Sequence, residues 1–68
     1  MNEDNFNASL RGFLKKVGIT SQREIEKAVR DAVAAGRIKG NEKLAAKMVL
    51  TIGGVSLSHE IVGEIELG

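Results

Sequence analysis

The chain contains no cysteine, which excludes disulfide staples, zinc knuckles and thiol nucleophiles and suits a reducing compartment. Tyrosine and tryptophan are absent, and the two phenylalanines both fall on one apolar helical stripe. No aromatic platform is left for stacking single-stranded bases. No apolar run approaches the roughly 18 residues that span a bilayer. The opening Met1-Asn2-Glu3-Asp4-Asn5 is acidic where a secretory signal is basic, so the expected location is the cytoplasm. Basic residues are missing from the C-terminal third: all ten lie between Arg11 and Lys47.

What remains is a 68-residue chain, 43% hydrophobic and 28% charged, a globular composition with material for one small domain. Its net charge of +1 conceals a split. Residues 1–47 carry ten bases and six acids, whereas Met48 to Gly68 carries three glutamates and no base. A basic binding face and internal pairing between the two parts both account for that asymmetry.

Phe6, Leu10, Phe13, Leu14 and Val17 follow the spacing of one helical face, predicting a helix over about residues 3–17. Asn2 is its N-cap, Glu3 and Asp4 sit at the positive end of the dipole, and Gly18 is placed as a left-handed C′ residue. A second helix is expected over about 22–35. Ser21 with Glu24 reads as a capping box, Ile25, Ala28, Val29, Ala32 and Val33 form its stripe, and Gly36 ends it.

After Gly40-Asn41 the period becomes twofold. Leu44, Ala46, Met48, Leu50 and Ile52 alternate with Lys43, Ala45, Lys47, Val49 and Thr51; the alternation resumes from Val55 to Leu67. Strands are expected over about 43–52 and 55–67, joined at Gly53-Gly54 by a two-residue type I′ turn. That turn sets Ile52 opposite Val55, Leu50 opposite Leu57, Met48 opposite His59 and Ala46 opposite Ile61. On the other face Lys47 meets Glu60, Lys43 meets Glu64, Ala45 meets Val62 and Thr51 meets Ser56. Arg37-Ile38-Lys39 extends the pairing toward Glu64-Ile65-Glu66. Residues 42–47 are also good helix formers, leaving a short third helix as the alternative.

The architecture expected is therefore α+β in ααββ order: one domain over 1–68, with two N-terminal amphipathic helices on one face of an antiparallel hairpin. The expected core comprises Phe6, Leu10, Phe13, Leu14, Val17, Ile25, Val29, Ala32, Val33, Ile38, Met48, Leu50, Ile52, Leu57, Ile61 and Ile65.

Lys16-Val17-Gly18, Thr20 to Arg30 and Ala35 to Leu44, together with the opening Met-Asn-Glu-Asp and the closing Gly63-Glu64-Ile65-Glu66-Leu67, resemble a family of short, uncharacterised bacterial proteins known as a domain of unknown function. The likeness runs over essentially the whole chain. It implies a bacterial, cytoplasmic protein and supplies no activity or site. Ser21 to Ile52 also resembles the recognition helix and wing of winged-helix proteins, but one helix precedes it where that fold has two.

Few residues suggest catalysis. His59 is the lone histidine and lies on the alternating apolar face, where a structural role outweighs general-base chemistry. Glu64 and Glu66 share a strand face, with Lys43 and Arg37 as expected partners. The glycines match no phosphate loop or dinucleotide fingerprint, and the acids lack calcium-loop spacing. No catalytic, cofactor or metal site is expected. Arg23, Lys27 and Arg30 lie together opposite the second stripe, followed by Arg37 and Lys39; these five form the candidate nucleic-acid surface. The competing reading is a solvated face laced by Glu26–Arg30 and Lys27–Asp31 at i, i+4. A hairpin with two open edges favours instead a non-enzymatic interaction module, joined to a protein partner or to a second copy.

Overall fold

In the computed structural model, which describes residues 1–68, the chain divides into two compact units, Met1–Arg37 and Ile38–Gly68. The first unit is one helix, α1, Glu3–Ala34. The second is an antiparallel hairpin of β1, Lys43–Ile52, and β2, Leu57–Glu66, joined through a 3-10 turn at Gly53–Val55.

Both expected outer ends of the helical region are present. The Asn2 side chain accepts from the Asn5 N–H at 3.0 Å, satisfying one orphan donor of the first turn. At the other end Gly36 is left-handed at φ 74°. The Gly36 N–H donates to the Val33 carbonyl at 3.1 Å and the Arg37 N–H to that of Ala32 at 2.9 Å, the two bonds of a Schellman cap.

The expected break in the middle is absent: one helix of 32 residues replaces two. Gly36 and Gly40 are the glycines with positive φ, and Gly18 is helical. Ending a helix at Gly18 and restarting it at Ser21 would orphan four carbonyls and four amides. Continuing costs about 1 kcal/mol for an interior glycine, and the chain has no proline to force a stop. Ser21 therefore sits inside the helix and caps nothing.

In the hairpin, residues 43–47 are strand, which settles the alternative of a third helix. The turn corrects the expected register. Gly53 and Gly54 do not take positive φ; Ser56 does, at φ 52° and ψ 36°, with its N–H donating to the Gly53 carbonyl at 3.3 Å. Four residues thus form the loop, a length commonly built on a type I-like turn. Ile52 pairs with Leu57, Leu50 with His59, Met48 with Ile61, Ala46 with Gly63 and Leu44 with Ile65. The two-residue loop would have set Leu44 against Gly63, with no side chain to meet; the observed register gives it Ile65. The displacement is two residues, one full side-chain period, so every residue keeps its expected face. No strand forms at 37–39, and the expected extension toward Glu64 to Glu66 does not occur.

Within neither unit is any residue buried. Phe6, Phe13 and Leu14 on α1 are 48%, 50% and 52% exposed. On the hairpin, Leu44, Ala46, Leu50 and Ile65 are half-buried, on the face that also carries Met48, Ile52, Leu57 and Ile61. A lone helix and a lone two-stranded sheet each supply one side of a core, and neither encloses a side chain by itself.

Candidate interaction surfaces

Large apolar side chains are exposed on both units. Along α1 two apolar stripes follow i, i+3, i+4 spacing, Ile25 to Val33 and, turned from it by about a quarter of the helix circumference, Phe6 to Val17. A shallow hollow of about 280 Å³ lies against the latter, lined by Phe13, Lys16, Val17, Thr20 and Ser21. In the hairpin, the opposite face from Leu50 and Ile65 carries Lys43, Ala45, Lys47, Val49 and Thr51 on β1, and Ser58, Glu60, Val62, Glu64 and Glu66 on β2. Val62 is 73% exposed there.

The charges on this second face are sorted by strand: both lysines on β1, all three glutamates on β2. Lys47 approaches Glu60 at 3.7 Å, as expected, although the register makes the pair diagonal, with Lys47 directly opposite Val62. Lys43 reaches Glu66 at 3.9 Å instead of Glu64, because the two-residue displacement brings Glu66 opposite it. Glu64 faces Ala45 and joins no ion pair.

Of the five candidate nucleic-acid residues, Arg23, Lys27 and Arg30 stand on α1. Lys27 lies 3.9 Å from Asp31 and Arg30 3.5 Å from Glu26, the expected i, i+4 lacing, and Arg23 joins no ion pair. Arg37 closes the first unit and Lys39 belongs to the second. His59 stands opposite Leu50 rather than Met48. No group of three or more histidine, aspartate or glutamate side chains gathers at metal-binding distance.

Glu42, noticed in the sequence only as a helix former, has a definite structural task. Its carboxylate accepts from the Lys39 N–H at 2.8 Å, the Gly40 N–H at 2.9 Å and the Asn41 N–H at 3.1 Å. Gly40, at φ 102°, turns the backbone so that successive amides converge on one anion. The amides of Lys39 and then Gly40 hold the Glu42 pKa below its ordinary value. The concavity is filled from within the chain and fastens the entry to β1. An acidic residue directly after Gly-Asn was the available sequence signal.

A family model described as a family of unknown function (DUF6494) matches residues 1–68. No curated protein and no solved structure matches the chain.

Proposed function

The chain belongs to DUF6494, and we propose that it is a small, non-enzymatic protein-interaction module that self-associates through the edge of its hairpin. The observation that carries this reading is the state of its apolar residues: 43% of the chain is hydrophobic, yet no residue is buried. Apolar surface in water is costly at about 25 cal/mol per Å², and contiguous exposed patches mark contact sites. The hairpin adds a second incentive. Each of its strands has one edge without a strand partner, and an unpaired row of N–H and C=O groups is a template for another strand.

Sedimentation equilibrium between about 5 and 500 μM tests the reading, since subunit association is concentration-dependent. A mass rising above 7.3 kDa and a Val62→Lys variant held at monomer mass are the expected results. A mass fixed at the monomer value throughout overturns it. Salt-sensitive duplex binding lost in a Lys27→Gln, Arg30→Gln double variant would replace it with a nucleic-acid function.

A further inference from the structure

We infer that the hairpin edges join head to tail, the β1 edge of one copy accepting the β2 edge of a second copy. The inference rests on the self-association proposed above and specifies which edges meet. Its first support is the phase of the ladder. The Leu67 N–H donates to the Glu42 carbonyl at 2.9 Å, one pair beyond Lys43–Glu66 in the same register. In an antiparallel ladder, bonded and non-bonded pairs alternate. Even-numbered residues from Glu42, just before β1, to Ile52 therefore bond across the hairpin, while Lys43, Ala45, Lys47, Val49 and Thr51 turn their N–H and C=O groups outward. On β2 the outward set is Ser58, Glu60, Val62, Glu64 and Glu66. The residues free to bond a new strand are thus the ones carrying the charges.

Charge then selects the partner. Joining β1 to β1 brings lysine rows together, and joining β2 to β2 does the same with three glutamates; like charges across a ladder are unfavourable. Joining β1 to β2 of a second copy sets lysine against glutamate. In one register of outward residues, Lys47 stands opposite Glu60, Lys43 opposite Glu64 and Ala45 opposite Val62, and the inward-bonding Leu50 falls opposite Leu57. This is the register that a two-residue turn would have set within the chain; the four-residue loop replaces it and keeps only Lys47–Glu60, as a diagonal contact. It gives Glu64, unpaired within the chain, a cation. Lys47 and Glu60 have side chains 58% and 61% exposed, open to a second partner. Neither strand carries proline, and the one ladder runs ten pairs without interruption, so neither edge is protected by a proline or a bulge. Such a contact is heterologous and propagates until a ring closes.

Two protein samples test it: the wild-type chain and a full-length exchange variant, Lys43→Glu, Lys47→Glu, Glu60→Lys, Glu64→Lys, Glu66→Lys. The exchange inverts both rows and keeps every intrachain pair complementary, so each chain folds and associates with itself. Fluorescence energy transfer between differently labelled samples reads mixing. Head-to-tail joining predicts self-sorting, with wild-type and exchanged chains co-assembling at least about tenfold less than like chains. Preferential mixing would show that like edges meet and would overturn the inference while leaving self-association standing; a wild-type chain that stays monomeric removes both. Should the exchange variant fail to fold by circular dichroism, Val49→Pro and Val62→Pro each remove one outward N–H without touching the intrachain ladder. Each alone is expected to be monomeric and their mixture dimeric. A dimer of either variant alone would contradict head-to-tail joining.

Discussion

Replacing Gly18 by alanine separates one helix from two by the sign of its effect. In the continuous α1, Gly18 has helical backbone, and a Cβ built on it meets nothing within 4 Å. Alanine then relieves the entropic cost of an interior glycine and adds no clash, for a gain of about 0.8–1 kcal/mol. Were Gly18 the left-handed end of a shorter helix, alanine there would be strained by about 1–2 kcal/mol. Gly36 supplies the internal control. It too has open space around its Cβ position, but its φ is 74°, so Gly36→Ala is expected to destabilise by about 1–2 kcal/mol. Thermal and urea melts followed by helix ellipticity measure both, and amide exchange at Ile19 to Arg23 locates the change. Loss of stability in Gly18→Ala, or fast exchange across Ile19 to Arg23 in the parent chain, would refute the continuous helix.

Three further outcomes follow from the hairpin. Ser56→Gly is expected to stabilise it by about 0.5–1 kcal/mol, because glycine accepts the left-handed conformation at no steric cost; destabilisation in a urea melt would mean that Ser56 lies in a strand. The Glu42 contribution is present above the ordinary glutamate pKa and lost as pH falls through the lowered native value, since protonation removes the charge that strengthens its bonds to three amides. NMR titration of the Lys39, Gly40 and Asn41 amides should show one acidic transition displaced below the ordinary value and absent in Glu42→Gln; an undisplaced transition would contradict the latch. Lys47→Ala or Glu60→Ala should each shift hairpin stability by no more than about 1 kcal/mol, as expected for an exposed pair; a larger loss in a double-mutant cycle would mean that the pair is shielded from water.

The hairpin's two faces were legible in the sequence because strict alternation encodes them and survives any even displacement of register. Asn2 and Gly36 were legible as helix ends, each having a local chemical task. Gly18 was not, because an interior glycine and a C′ glycine look alike in sequence. Turn length was hidden for a similar reason: Gly53-Gly54 suits a type I′ turn and a 3-10 turn equally, and the choice falls to pairs as distant as Leu44–Ile65. Apolar spacing locates the stripe of α1 and the inner face of β1 and β2, but spacing alone does not specify what covers them. That is why sixteen expected core positions are all accessible. Of the five candidate basic residues, Lys27 and Arg30 are engaged by neighbouring acids on α1.

Mass as a function of concentration is the measurement nearest to the central claim, that the surface this chain leaves in water is completed by another copy of itself. Sedimentation equilibrium on the full chain should give a weight-average mass that climbs from 7.3 kDa toward multiples of it over about a hundredfold range of concentration, and that returns to the monomer value on dilution. A constant 7.3 kDa across that range, with Val62→Lys indistinguishable from the parent chain, would contradict the account.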